Sequence, residues 1–308
     1  MRKLFAIITI FTLSILSLGK EYKRIASGSP AVSEILYELG LKDNIIAMDK
    51  NSDVKGLENI PKVSFYNISM EEMLGLKADL VIFSTFNKAE KNSFVTLMEK
   101  NGTDVIYLPD ITSIEDIYTS IRVIGEQTER VPEVEKVIAK IKEDIKNITD
   151  KSEKIEKRKK VYFEISPYPN MYTFGKGVFM NEMLEKAGVE NIFKDQKGWF
   201  IPNLEAIAVK NPDLIFTSTY QLDNPIKELE QRENWRIIKA IKEKKIYHIE
   251  KEVVRPSVKV AEMIREIFEI SYPELKDWQK TKKAPLRVRA FLVEIKCNSR
   301  KCLMTTLL

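Results

Sequence analysis

Two patterns of apolar residues alternate along this chain, and they predict strands and helices in turn. Short continuous apolar runs, such as residues 80–83, are typical of strands that are covered on both faces of a parallel sheet. Between such runs, segments such as 33–40 place apolar residues three and four positions apart, which is the period of a helix face. Because this alternation fills residues 20–112 and again 159–278, the sequence predicts two α/β lobes built from βαβ units.

The segment between them, residues 113–158, has no strand pattern and predicts two connecting helices. Pro132 suits the first turn of the second helix. From there one apolar stripe continues with charged residues on the remaining faces, which is typical of a long helix with one buried face. The stripe consists of Val134, Val137, Ile138, Ile141, Ile145 and Ile148. We therefore predict that a long α-helix joins the two lobes.

One helix–strand unit occurs twice in the chain. Residues 69–86 align without a gap with residues 203–220, so that Glu71 meets Glu205. Repetition of a whole unit indicates that the two lobes are alike. Paired lobes create a cleft, and clefts between domains are where small ligands usually bind.

Both ends of the chain differ from this body. Residues 1–19 predict a secretory signal peptide, because Arg2 and Lys3 precede an apolar run that is too short to span a bilayer. An N-terminal membrane anchor is the alternative. No cysteine follows the run, so we expect no lipid anchor and a periplasmic location. Residues 279–308 follow the natural end of the last helix and are treated as an atypical basic tail.

The net charge of +5 is concentrated at those two ends. The tail holds eight Lys or Arg and one Glu, so residues 20–278 are mildly acidic. A body of that charge lacks the basic surface of a nucleic-acid-binding domain, and no nucleic-acid partner is expected. Both cysteines, Cys297 and Cys302, lie in the tail, so no disulfide framework holds the lobes together.

Five stretches give the chain its likeness to a known family: SGSPAVSEILYELG, MEEMLGLKADLVI, GKGVFMNEMLEKAGVENIF, LEAIAVKNPDLIF and RPSVK. Over residues 22–275 the chain resembles the periplasmic substrate-binding proteins of ABC importers for iron complexes and cobalamin. The resemblance implies an α/β fold of two Rossmann-like lobes with central, mainly parallel sheets, joined by a long α-helix. One departure is Ala78, which stands where the family usually has a proline, as Pro212 does in the second copy. We further expect a monomer.

The resemblance also implies a macromolecular partner, an ABC permease in the inner membrane. In this family one glutamate on each lobe docks on permease arginines, which here indicates Glu71 and Glu205. The alternative is local stabilisation, because carboxylates in the first turn of a helix face the positive end of its dipole. Ser69 and Glu72 also have the residue types and the spacing of a capping box.

Residues at loop ends after the predicted strands are candidates for ligand contact. In open α/β sheets ligands bind beyond the carboxyl ends of the strands, and a large planar ligand packs well on flat aromatic walls. Arg255 offers a guanidinium fork for carboxylate or catecholate oxygens. Packing in the core or on the surface is the alternative for the aromatic residues, and a solvated charge is the alternative for Arg255. The predicted ligand-binding residues are Ser29, Tyr66, Phe86, Tyr168, Trp199, Tyr220 and Arg255.

His248 is the only histidine and lies inside a predicted strand, where an imidazole without a ligand role is the simpler interpretation. Haem ligation by His248 or by a tyrosine is the alternative. Importers of bare zinc or manganese use several histidines with carboxylates, a set that this chain cannot assemble. We therefore expect no resident cofactor or metal site, and a ligand that carries its own metal: a ferric siderophore, haem or cobalamin.

Together these features predict an extracytoplasmic solute-binding protein, not an enzyme, that hands an iron complex or cobalamin to an ABC permease. A single histidine and the lack of cysteine in the body of the chain argue against Ser-His-Asp and Cys-His catalysis. The glycine-rich stretch at 173–177 has neither Walker nor dinucleotide spacing and predicts a loop that enters a helix. The alternatives are a two-lobed Rossmann-like enzyme, of chelatase or glycosyltransferase type, and a ligand sensor without transport.

Overall fold

The structure is a computed structural model of the chain. The predicted signal peptide, residues 1–19, and the predicted basic tail, residues 279–308, lie outside the residues that it describes. The described residues are 20–84, 91–219, 221–250 and 254–275, with the side chains of 91–94 excepted.

Backbone contacts divide the chain into two compact units. The first contains the residues up to Asp110 and Glu115–Ile141, and the second contains Ile111–Ile114 and the residues from Lys142 onward. Each unit has a parallel sheet with helices, so the predicted α/β class is confirmed. Residues 113–158, predicted as a connecting segment, contribute to both units, and the predicted domain limits themselves stay a prediction.

The first unit is built on a five-stranded parallel sheet with the order β3-β2-β1-β4-β5. Its central strands are fully buried, as their continuous apolar runs predict. The strands are β1 (Ile25–Ser27), β2 (Ile45–Asp49), β3 (Lys62–Val63), β4 (Leu80–Phe83) and β5 (Asp104–Tyr107). The helices are α1 (Pro30–Glu38), α2 (Met70–Gly75), α3 (Lys91–Lys100) and α4 (Ile114–Gln127), followed by α5 (Val131–Ser152), which continues into the second unit.

The second unit has a four-stranded parallel sheet with the order β11-β10-β6-β8 and a separate antiparallel ribbon of β7 and β9. The strands are β6 (Lys160–Glu164), β7 (Thr173–Phe174), β8 (Glu190–Asn191), β9 (Trp199–Phe200), β10 (Leu214–Thr217) and β11 (Ile246–His248). The helices are α6 (Phe179–Lys186), α7 (Leu204–Lys210), α8 (Pro225–Gln231), α9 (Lys239–Lys242) and α10 (Val260–Ser271). Short 3₁₀ turns lie at Lys42–Asn44, Glu233–Trp235 and Pro273–Leu275.

The duplicated helix–strand unit is present in both units, as α2 with β4 and as α7 with β10. Ser69 caps α2 by accepting the Glu72 N–H, with which it forms the predicted capping box, and Asn203 caps α7. Both helices end just before a non-glycine residue with positive φ, Lys77 at 50° and Asn211 at 46°. The left-handed turn is costly for most residues, so its occurrence at equivalent positions indicates that the turn itself was duplicated.

An aspartate after each of these turns fixes the neighbouring strand. The Asp79 carboxylate accepts the N–H of Arg24 at 3.0 Å, just before β1, and the Asp213 carboxylate accepts the N–H of Lys160 at 2.9 Å, where β6 begins. Burial opposes ionisation of Asp213, but hydrogen bonds from Lys239 and the Lys160 N–H hold its pKa below its usual value. Each aspartate therefore sets the register of a parallel strand pair.

The predicted apolar stripe is the buried face of α5. Five of its six members are buried and Val137 is half-buried, whereas the charged residues of the helix are mostly exposed. Burial of one face of a helix of 22 residues stabilises it through packing, because helix propensity alone is weak. The prediction of one long, single-faced helix is confirmed.

A prediction on stability comes from Glu266 of α10. Burial raises the pKa of Glu266 to about 7, and the carboxylates of Glu250, Glu269 and Glu262 add to the rise. Since the folded pKa lies above the ordinary value of 4.5, the stability present below pH 4.5 is lost as the pH rises through about 7. We expect Glu266→Gln to raise the free energy of unfolding by about 2 kcal/mol at pH 8 and to change it little at pH 4.

Urea unfolding at both pH values measures this difference, with Glu153→Gln, an exposed carboxylate of the second unit that does not act on Glu266, as the control. An equal gain at pH 4 and pH 8 would show that Glu266 ionises normally in the folded protein.

Candidate functional site

In the first unit, the loop that leaves β1 is shaped by a close backbone approach. The Gly28 N–H donates to the Ile82 carbonyl at 2.8 Å, and a Cβ at Gly28 would lie only 2.7 Å from that oxygen. Glycine is therefore required here. The next residue, Ser29, caps α1, and its Oγ accepts the Val32 N–H at 3.4 Å. Ser29 is thus half-buried at the carboxyl end of a central strand, where a ligand would meet the sheet.

Tyr66 follows the edge strand β3 of the same unit. Its side chain is 83% exposed, whereas the preceding Phe65 is buried and packs edge-on against Phe83, with 6.0 Å between ring centroids. The buried neighbour anchors the backbone, so Tyr66 presents its ring to the surface.

In the second unit, an exposed apolar face lies on the ribbon of β7 and β9, which we call the aromatic ribbon (residues 172–174 and 199–201). Phe174 pairs with Trp199 across the ribbon, and Tyr172 and Ile201 flank its strands, directly before β7 and directly after β9. Phe174 is buried, while Tyr172, Trp199 and Ile201 are 43%, 49% and 53% exposed. The Trp199 ring stands edge-on to Phe174 at 5.7 Å, so it is held by packing while one surface remains open.

Gly175, at the end of the ribbon, explains the glycine-rich stretch at 173–177. Its N–H donates to the Gly198 carbonyl at 3.0 Å, and a Cβ there would lie 2.3 Å from the Gln196 carbonyl oxygen. The stretch runs against residues 196–198 and then enters α6, in line with the predicted loop.

The loop after β6 carries two tyrosines. The Ile165 N–H donates to the Tyr172 carbonyl at 2.8 Å, and the Tyr172 N–H donates to Ser166 Oγ at 3.0 Å, which closes the loop on itself. Tyr168 is exposed near its tip. Residues 165–172 contain no charged side chain, so this loop offers a ligand phenol groups and apolar surface.

Glu71 and Glu205 occupy equivalent exposed positions in the first turns of α2 and α7. The caps of these helices use other side chains: Glu72 closes the capping box of α2, and the Asn203 side chain caps α7. The carboxylates of Glu71 and Glu205 are therefore not the caps. Both still lie in the first turn of a helix, so the docking role stays a prediction beside its alternative, stabilisation by the helix dipole.

The remaining predicted residues are less informative. Arg255 is half-buried in the segment between β11 and α10. Phe86 and Tyr220 lie outside the described residues. His248, the last residue of β11, places its Nε2 3.1 Å from the Thr219 carbonyl oxygen. Because a carbonyl only accepts, this contact favours a proton on Nε2 and leaves that nitrogen without a lone pair for a metal.

A surface cavity of about 580 Å³ in the second unit lies apart from the predicted residues. It is lined by side chains of both charges, among them Lys176, Lys194, Glu182 and Glu185. The Glu182 carboxylate is already engaged, since it accepts the Ile114 N–H at 2.8 Å. Across the described part of the chain, no group of three or more His, Cys, Asp or Glu side chains could hold a metal ion.

Sequence comparison places these features in a family. The profile of the periplasmic binding protein family matches residues 25–253. This chain is a periplasmic binding protein. The resemblance stated from the sequence motifs is therefore confirmed, and the family is one of solute-binding proteins for transport.

Individual relatives extend the match. The chain is 32% identical over 262 residues to the uncharacterized ABC transporter substrate-binding lipoprotein YvrC of Bacillus subtilis, covering 84% of this chain and 82% of that protein. It is 25% identical over 227 residues to the vitamin B12-binding protein of Vibrio parahaemolyticus, covering 73% and 81%. A crystal structure of a possible iron-binding, periplasmic solute-binding protein from Staphylococcus epidermidis matches with a TM-score of 0.72 and 29% identity, covering 82% of this chain and all of that one.

Membership bears on location as well. Periplasmic binding proteins and substrate-binding lipoproteins act outside the cytoplasm, so this chain is extracytoplasmic. Within the described ranges, no helix combines the length and the apolar character that crossing a membrane requires.

Two features of this periplasmic binding protein escaped the sequence analysis. Tyr172 and Ile201 lie beside Trp199 at the aromatic ribbon, and its two-residue strands are too short to leave a pattern in the sequence that could have revealed them. The second is a buried ion pair at the carboxyl end of β6, formed by Glu164 and Arg232. Burial raises the pKa of Glu164, and the Arg232 guanidinium opposes that rise.

Proposed function

We propose that this protein captures an iron complex, such as a ferric siderophore or haem, or cobalamin outside the cytoplasm and delivers it to an ABC permease. The observation that carries the proposal is the aromatic ribbon, where the half-exposed Trp199 ring is held in place by its edge-on contact with buried Phe174. The iron-binding and vitamin B12-binding relatives support the choice of ligand class.

The capture step is binding without chemistry. A flat chelate that lies against Trp199 and Tyr172 removes apolar surface from water and gains from ring stacking. Phenol groups of Tyr168 and Tyr172 supply hydrogen bonds to the polar edge of such a ligand. Ser29 and Tyr66 in the first unit, Phe86, Tyr220 and Arg255 complete the proposed set of ligand contacts. The metal is part of the cargo, so no resident cofactor is needed.

The delivery step depends on differential affinity. Glu71 and Glu205 dock on basic residues of the permease, which fixes the orientation of the protein and speeds the encounter. Distortion of the docked protein then weakens the ligand site and releases the cargo. We further propose that the protein is periplasmic, is exported by the signal peptide at 1–19, and acts as a monomer.

A titration tests the ligand class and the ribbon together. Purified protein is titrated with haemin, cyanocobalamin and a ferric trihydroxamate, and ligand absorbance and protein fluorescence are followed. We expect saturable one-to-one binding of at least one probe, and Trp199→Ala should raise its dissociation constant about tenfold or more, because stacking and burial are both lost.

Ile237→Ala is the matched control, since Ile237 is also an exposed apolar residue of the second unit but lies off the ribbon. Equal weakening by both variants would mean that the ribbon is not the ligand surface, and no binding of any probe would reject the ligand class.

A further inference from the structure

Arg232 joins several elements of the second unit through one side chain. Its Nη1 and Nη2 donate to the two Glu164 oxygens at 2.7 and 2.8 Å, and its Nε and Nη2 donate to Glu228 of α8 at 2.8 and 2.7 Å. The guanidinium also lies 4.4 Å from the ring centroid of Trp235. The fork geometry of arginine is what allows it to bind two carboxylates and stack at once.

This ion pair is removed from water. The side chains of Arg232 and Glu164 are only 9% and 1% exposed. Buried ion pairs of this kind rarely stabilise a fold more than well-packed apolar residues would, because removing both charges from water is costly. Stability alone is therefore a weak reason for such a pair at this place.

The other unit shows that the fold does not require a carboxylate here. The main-chain bonds of Asp79 to Arg24 and of Asp213 to Lys160 make Arg24 and Lys160 equivalent. Four residues further on, the equivalent of Glu164 is Gly28, where no side chain fits. The same strand end thus carries a glycine in one unit and a buried glutamate in the other, so the glutamate serves something particular to the second unit.

The particular feature is the loop after β6. Arg232 Nη1 lies 3.1 Å from the Met171 sulfur, and Met171 is buried in the same core cluster as Trp235. Met171 directly precedes Tyr172, whose main chain closes the loop that presents Tyr168. One guanidinium therefore holds both the strand end from which the loop departs and the residue at which it returns.

We propose that Arg232 is a positioning residue for ligand binding, which holds the loop at 165–172 through Glu164 and Met171 so that Tyr168 and Tyr172 are ordered before the ligand arrives. This inference rests on the proposed function. A loop that is ordered in advance binds more tightly, because its side chains lose less conformational freedom on binding.

Three variants of the full chain test the proposal: Arg232→Met, Arg232→Lys and Met171→Ala. The control is Lys194→Met, which removes a basic residue from an exposed ion pair of the same unit. One readout needs no ligand: the rate of cleavage by chymotrypsin after Tyr172, under conditions where circular dichroism shows the fold intact. The other is the dissociation constant for haemin, cyanocobalamin and a ferric trihydroxamate.

We expect Arg232→Met to accelerate cleavage after Tyr172 and to raise the dissociation constant about tenfold, which matches the re-ordering of two tyrosines. Arg232→Lys should lie between it and wild type, because lysine keeps the charge but lacks the fork. Met171→Ala should do the same as Arg232→Met while leaving the ion pair in place, so it decides the matter if Arg232→Met does not fold.

Unchanged cleavage in Met171→Ala and Arg232→Lys would overturn the proposal, and so would faster cleavage with unchanged affinity. If wild-type protein binds none of the probes, the proposed function fails, and the cleavage rates still show separately whether Arg232 orders the loop.

Discussion

Replacing Arg232 with methionine is expected to lower the free energy of unfolding by about 3–5 kcal/mol, because Glu164 would remain buried without its guanidinium. The hydrogen bond from the Tyr162 hydroxyl, at 3.2 Å, does not neutralise that carboxylate. Urea unfolding at pH 7, followed by circular dichroism, measures the loss. It should shrink as the pH falls, since protonation of Glu164 removes the uncompensated charge.

The double variant Glu164→Gln with Arg232→Met distinguishes two causes of the lost stability: a buried carboxylate without its counter-charge, and the packing lost with the Arg232 side chain. A neutral amide needs no counter-charge, so the double variant should be more stable than Arg232→Met alone. If the two substitutions simply added, with the double variant the least stable of all, the stranded charge would not be the source of the loss.

Reversal of both exposed glutamates, Glu71→Arg with Glu205→Arg, is expected to reduce transport about a hundredfold or more. Like charges brought together at a protein interface cost several kcal/mol, and here two such contacts would form with the basic permease residues. Uptake of the bound probe into vesicles that contain the permease measures the effect. The affinity for the probe should stay unchanged, because both glutamates are exposed and neither is among the proposed ligand contacts.

Glu72→Gln serves as a further comparison for α2. Glu72 belongs to the capping box, so its loss should lower stability modestly without blocking transport. If the Glu71→Arg, Glu205→Arg variant bound the probe more weakly, the two glutamates would not act in docking alone. If its uptake into the vesicles were undiminished, they would have no docking role.

Most of the fold could be predicted from local patterns in the sequence. The runs that predicted β4 and β10 are buried strands, and the stripe that predicted α5 is its buried face. The helix turn before each strand was also foreseeable, because Ser69 and Asn203 are strong caps. All of these features depend on residues within one or two turns of each other.

Short and distant features were not foreseeable in the same way. The strands β3, β7, β8 and β9 have two residues each, which is too few for a period of two to be recognised. Glu164 and Arg232 are 68 residues apart in the chain. In the sequence, each side chain alone is indistinguishable from a solvated charge. A single sequence does not show which charges meet once the sheet has formed.

The two copies of the repeat also diverge where ligand contact is proposed. Around the duplicated helix the caps, the left-handed turn and the aspartate are kept. At the strand end, Gly28 and Glu164 differ, and so do the loops that follow them. Retention of the frame with change at the carboxyl ends of the strands is what a duplicated binding scaffold is expected to show.

The most direct test of the central claim is the visible absorption spectrum of the protein purified from its natural host, with the bound chelate quantified. We predict a haem, corrinoid or ferric chelate band at about one ligand per chain, kept in the Glu71→Arg, Glu205→Arg variant and diminished in Trp199→Ala. A colourless protein that also takes up none of these chelates in solution would contradict the account.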